Sequence, residues 1–141
     1  MSDFCLNLLP IMKKLDFIKS IVLIFVVFIQ LSFTAVPDDL NKALETGNVS
    51  VLKQNMNSTV ELVIFEKENV YSKIQAEQIL KQFFQTHAPI SFKILHNGQS
   101  DNSQYYIGLL KTQKGTYRVY YLLKTKDRTT LLYQLRIENN E

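Results

Sequence analysis

Thiols are almost missing from this chain. Of its 141 residues only Cys5 is a cysteine, so neither a disulfide framework nor a thiolate metal site can form. Histidine is nearly as scarce. A metal centre needs three or four convergent ligands, and His87 and His96 stand alone and apart. No serine lies in a Gly-x-Ser-x-Gly turn, which removes the commonest signature of a nucleophilic hydrolase. Charge of one sign is also lacking: 16 Lys plus Arg face 13 Asp plus Glu, and beyond residue 35 the balance is 13 to 11. An excess that mild excludes a nucleic-acid protein from the leading readings. There are no internal repeats and no low-complexity linker, so nothing marks a second domain.

What the chain does have is a basic segment, Met12-Lys13-Lys14-Leu15-Asp16-Phe17-Ile18-Lys19, feeding nine apolar residues, Ile21 to Ile29. Gln30-Leu31-Ser32-Phe33-Thr34-Ala35 then closes it with a more polar stretch. That is the layout of a secretory signal peptide. A transmembrane helix needs about 20 apolar residues, and Ile21 to Val36 is shorter and interrupted by Gln30, Ser32 and Thr34. Cleavage is therefore expected near Ala35, with an uncleaved anchor as the alternative and Phe33 as an unusually bulky residue before the cut. Met12 is the more natural initiator. Residues 1–35 are assigned to the signal and residues 36–141 to one exported domain, large enough for a core without staples.

Along that domain, Pro37-Asp38-Asp39 opens a short helix, Gly47 ends it, and Asn48 caps a second running to about Gln54. Val60 to Phe65 predicts a first strand. Ser72 and Gln75 form a capping-box pair ahead of Ala76, Ile79, Leu80, Phe83 and Phe84, which share one face of a helix reaching His87. His87 suits the carboxyl end of that helix as a cap. Four strands follow: Ile90 to His96, Tyr105 to Thr112, Tyr117 to Lys124 and Leu131 to Glu138. Their loops are Gly98 to Ser103, Lys114-Gly115 and Lys126-Asp127-Arg128, short enough for an antiparallel meander. Alternation directs Tyr117, Val119, Tyr121 and Leu123, with Leu131, Tyr133, Leu135 and Ile137, toward the helix. It directs Arg118, Tyr120, Leu122, Leu132, Gln134 and Arg136 outward.

This order of elements resembles the cystatin-like cone of the nuclear-transport-factor-two superfamily. Ala43-Leu44, Thr46-Gly47-Asn48, Tyr71-Ser72-Lys73, Gln75-Ala76, Phe83-Phe84, Ser91-Phe92, Leu95-His96-Asn97-Gly98, Tyr106-Ile107-Gly108 and Tyr117-Arg118-Val119-Tyr120 are similar to an uncharacterised family of small exported Gram-negative bacterial proteins. The resemblance spans nearly the whole domain. It implies an α+β cystatin-like cone, with N-terminal helices and one long helix on a curved, mainly antiparallel sheet, and an envelope or periplasmic location. It implies no activity.

The candidate sites follow from that frame. A partner or homodimer surface is expected on the outer sheet face around Arg118, Tyr120, Leu122, Gln134 and Arg136, with charge reversal at Arg118 and Arg136 disrupting assembly. The alternative is a small-ligand site in the cone interior, with His96 at its mouth and Tyr117, Tyr121 and Tyr133 around it. An enzyme in that cavity is the lesser reading, because Glu61 and Glu138, the strand acids, lack an apolar setting to tune them. No catalytic residue, cofactor, metal or nucleic acid is expected, and membrane contact only through the N-terminal segment. The function expected is that of an exported, non-catalytic binding or assembly module.

Overall fold

The computed structural model describes residues 36–140; the expected signal segment, residues 1–35, and the expected start at Met12 lie outside the described residues. Two short helices, α1 (Val36–Thr46) and α2 (Val49–Asn55), lead into strand β1 (Met56–Ile64). The Asn48 side chain accepts from the Val51 amide and starts α2, while Gly47 takes the left-handed turn between the helices with φ of 68°. Strand β2 (Lys67–Ser72) returns antiparallel to β1. It was not predicted, because its side chains are nearly all polar and exposed along a sheet edge. Helix α3 (Lys73–Thr86) starts at the predicted capping box, with Ser72 and Gln75 bonded reciprocally.

The meander is β3 (Pro89–Ser100), β4 (Ser103–Thr112), β5 (Gly115–Lys126) and β6 (Thr129–Asn139). The expected loop from Gly98 to Ser103 contracts to a two-residue turn, since Gly98, Gln99 and Ser100 pair with Tyr105, Gln104 and Ser103. Asp127 and Arg128 both take positive φ, the backbone a two-residue hairpin needs between right-twisted strands. Six strands form one curved sheet in the order β2-β1-β6-β5-β4-β3, antiparallel except where β1 meets β6.

The helices cover one face. α1 lies over β3, and α3 lies over β1 and β2. Between them sits the core, in which Leu40, Leu44, Leu52, Met56, Leu62, Leu80, Leu110, Val119, Leu123, Leu135 and Ile137 are all fully buried. Lys53 and Lys81 reach Glu77 from α2 and α3 at 2.6 and 2.9 Å, tying the two helices together beside this core.

Shifts of register at two places overturn the expected alternation. On β3 the register shifts between Ile94, opposite Gly108, and His96, opposite Ile107, so Leu95 is the extra residue of a β-bulge. On β6 it shifts between Leu132, opposite Leu123, and Gln134, opposite Leu122, so Tyr133 is the extra residue of another. One added residue inverts the alternation across it, so with Leu135 and Ile137 facing the helices as expected, the residues before Tyr133 take the faces opposite to those expected. Leu132 therefore belongs to the core, 1 % exposed, and Leu131 faces outward opposite Lys124. That reverses the expected assignment of both.

Candidate functional site: the outer sheet face and the α3 cleft

The outer face is ordered in rows that cross the strands. One row runs His96, Ile107, Tyr120, Arg136, Val63 and Glu68, each opposite the next in register. A second runs Gly98, Tyr105, Leu122, Gln134, Glu61 and Val70. A third holds Lys93, Leu109, Arg118 and Glu138. Arg118, Tyr120, Leu122, Gln134 and Arg136 are thus brought onto one surface, and all but Leu122 line a shallow hollow of about 520 Å³ with Ile107 and Glu138.

Within this surface Arg136 is a hub. Its guanidinium lies 3.0 Å from Glu138, 3.7 Å from Glu68 and 3.9 Å from Glu61, and Gln134 donates to the same Glu61 carboxylate. The hydrogen bond to Glu138 holds Arg136 in its charged form. Val63 lies on this face rather than in the core cluster, yet it is only 2 % exposed, flanked in register by Arg136 and Glu68. Beside the hub is an aromatic pair, Tyr105 and Tyr120, stacked at 6.2 Å. The Tyr105 ring occupies the space a side chain at Gly98 would take, which explains glycine there. Partial burial raises the Tyr120 phenol above its ordinary value, against the lowering effect of Arg136.

The residues expected around an interior pocket do not assemble one. His96 and Tyr133 lie on the outer face, each displaced by one of the two bulges. His96 is exposed opposite Ile107, and the Lys124 ammonium lies 5.1 Å above the Tyr133 ring. Tyr121 does point inward, but it fills the interior. It is 1 % exposed, stacks on Tyr106 at 4.8 Å, and donates to Asn41 of α1 at 2.7 Å. Burial pushes its phenol far above the ordinary range. Tyr117 is 7 % exposed and packs edge-on against Phe65, Phe83 and His87.

The open space lies elsewhere, between α3 and the β1–β2 hairpin. This cleft of about 620 Å³ has an apolar wall of Leu62, Ile64, Tyr71 and Ile79 and an end made by Phe65, Phe83 and His87. His87 caps α3 as expected: its amide donates to the Phe83 carbonyl at 2.8 Å, and Nδ1 lies 3.1 Å from the same oxygen. Its ring stacks on Phe83 at 4.5 Å, nearly parallel. Phe65 has φ of 57°, a left-handed backbone rare for a bulky residue, and is held there by a hydrogen bond from its amide to the Ile137 carbonyl at 2.8 Å and by its ring contacts. Sequence reasoning missed this site. The i, i+4 spacing of Phe83 and His87 was the available signal, since such pairs meet on a helix.

Glu77, the buried carboxyl, is held below its ordinary range by its two lysines, and a carboxyl so tuned is a poor proton donor near neutrality. Among the described residues no group of three or more His, Cys, Asp or Glu could hold a metal ion, and no helix is long and apolar enough to cross a membrane.

The family model described as Domain of unknown function (DUF4783) matches residues 37–138. The chain belongs to the DUF4783 family. The crystal structure of a DUF4783 family protein from Bacteroides uniformis is 30 % identical, with a TM-score of 0.73 over 76 % of this chain and 99 % of that one. A second DUF4783 protein, from Bacteroides ovatus, is 28 % identical with a TM-score of 0.70, covering 73 % and 94 % of the two chains. A structure called "Rd1NTF2_04 with long sheet" is 13 % identical with a TM-score of 0.61, over 72 % and 95 %, a likeness of fold alone. Comparison with curated proteins gives no significant match. This DUF4783 domain has the nuclear-transport-factor-two-like cone that its order of elements implied. Fold likeness assigns no chemistry, so the function has to be argued from the surfaces themselves.

Proposed function

We propose that this DUF4783 domain is the non-catalytic assembly module of an exported protein of the bacterial envelope, and that it pairs with a second copy through its outer sheet face. Export is supported by the basic, apolar and polar succession of residues 12–35. The observation that carries the pairing is the charge division of the face. On β3, β4 and β5 the outward side chains include Lys93, Lys111, Arg118 and Lys124, all exposed, and no acid. On β1, β2 and β6 they include Glu61, Glu68 and Glu138, offset only by Arg136. A two-fold axis lying in the plane of the face and running along the strands near Tyr120 lays the basic half of one copy over the acidic half of the other, as an isologous interface requires. Tyr105, Ile107, Tyr120 and Leu122 then lie at the centre, where aromatic and aliphatic groups contribute most.

The test is native mass spectrometry and sedimentation of protein recovered after expression of the full chain in a Gram-negative host. A dimer is expected that loosens between about 50 mM and 500 mM salt, because rim charges are screened over that range. Arg118→Glu meets the opposite copy twice and is expected to weaken pairing at least tenfold without altering circular dichroism. A wild-type monomer at high concentration and low salt overturns the proposal.

A further inference from the structure

We infer that the cleft between α3 and the β1–β2 hairpin is a binding site for an apolar, ring-bearing small molecule carrying one hydroxyl or N–H donor. The cleft lies on the helix side of the sheet, so it stays open whether or not the outer face is paired, and this inference is independent of the pairing. Its volume of about 620 Å³ falls within the range of small-molecule sites, as does its make-up of apolar and aromatic walls with a few polar groups. The interior of the cone is filled by Tyr121 and Tyr106, so this is the space left for a ligand beside α3.

Ring preference comes from the end wall. Phe65 and Phe83 line it with His87, whose ring is fixed parallel to Phe83 at 4.5 Å. Phe65 is held there despite its left-handed backbone, so the wall is formed before any ligand arrives. Offset or edge contacts with such rings favour a flat aromatic or alicyclic guest.

Donor preference comes from the His87 tautomer. The Phe83 carbonyl can only accept, and the Thr86 hydroxyl, 2.8 Å from Nδ1, has the Gln82 and Phe83 carbonyls for its own proton, so the tautomer with the proton on Nδ1 satisfies both neighbours. In the neutral ring Nε2 is then the lone-pair nitrogen, and among the described residues it has no hydrogen-bond partner. Every buried polar side-chain atom among the described residues is paired, so the unpartnered Nε2 of His87, which lines the cleft, is one that solvent reaches and that a guest can reach in its place. A guest hydroxyl or N–H supplies the matching donor.

The experiment compares 2-naphthol with 2-methoxynaphthalene, the same ring with its hydroxyl capped. Each is titrated into ¹⁵N-labelled protein recovered after expression of the full chain. Amide shifts are expected at Phe65, Tyr71, Ile79, Phe83 and His87, with 2-naphthol binding about fivefold more tightly, as one neutral hydrogen bond allows. His87→Phe keeps a ring on Phe83 and is expected to abolish that fivefold difference while retaining binding of both probes. Ile79→Trp fills the cleft and is expected to weaken both at least tenfold; Gln82→Trp, at an exposed position on the rim, serves the same purpose if Ile79→Trp does not fold. Shifts confined to the outer sheet face, equal affinity for the two probes in the wild type, or binding indifferent to the blocking variant would each overturn the inference.

Discussion

The bulge at Tyr133 decides which face of β6 carries which side chain, and a pair of leucine truncations tests it directly. Regular alternation buries Leu131 and exposes Leu132; the observed register does the reverse. Leu132 is 1 % exposed within the core cluster, so Leu132→Ala removes buried methyl groups and leaves a cavity. The cost is about 3 kcal/mol on the scale of such truncations. Leu131 is half-buried opposite Lys124 on the outer face, and Leu131→Ala should cost at most about 1 kcal/mol. For a domain of this size that separates the variants plainly: about 12–24 °C in melting temperature for Leu132→Ala against a few degrees for Leu131→Ala. Urea unfolding is the cleaner assay, because a pure stability change moves the midpoint and leaves the slope alone. If Leu131→Ala costs as much as Leu132→Ala, β6 has no bulge, and Tyr133 returns to the interior.

Three further outcomes are expected. Glu77 has a native pKa below its ordinary 4.5 because Lys53 and then Lys81 bond its charged form, so its contribution to stability is complete above 4.5 and lost as pH falls through the lower native value. Unfolding measured from pH 6 to pH 3 should therefore show a decline that is shallower in Glu77→Gln, and identical slopes would refute the pairing. Tyr121→Phe removes the hydroxyl that donates to Asn41 and should cost about 1 kcal/mol. It should also delete the latest step of the alkaline tyrosine titration, since burial holds that phenol above the ordinary value of 10.0. Gly98→Val meets the Tyr105 ring at its flexible end, so the fold should survive while Tyr105 leaves Tyr120; assembly by sedimentation should weaken more than the melting temperature falls.

Most of the fold was legible because local signals agreed with one another. The capping box, the apolar stripe from Ala76 to Phe84 and the hairpin turns each placed an element on its own. Strand β2 was not legible, since an edge strand with one face toward solvent has no need of the apolar alternation by which strands are read. The site residues failed for a different reason. Alternation carries a face assignment along a strand, so one extra residue inverts it across the bulge: His96 beyond Leu95, and Tyr133 with Leu131 and Leu132 before it, fall on the faces opposite to those expected, and no local composition marks either bulge. His96 and Tyr133 were misplaced together for that one reason. The α3 cleft was invisible because its parts come from separate elements: Phe65 from a turn, Tyr71 from β2, His87 from a helix end.

The two bulges also change how the outer face should be probed. Arg118 and Arg136 were expected to be equivalent there, yet their surroundings differ. Arg118 is exposed and projects without a carboxylate within 4 Å among the described residues, so reversing it alters what the face presents and little else. Arg136 sits among Glu61, Glu68 and Glu138, and it helps keep Val63 from water. Arg136→Glu would gather four carboxylates and uncover an apolar side chain, unsettling the fold before it could report on assembly. A loss of pairing in the double reversal would therefore be ambiguous. Lys124→Glu joined to Arg118→Glu is the sharper pair, because both positions lie on β5 and both are exposed. Within one copy the change disturbs little beyond the Lys124 ammonium resting on the Tyr133 ring. If the face pairs through its charge division, that variant places acid against acid on both sides of the two-fold and leaves the Arg136 hub intact.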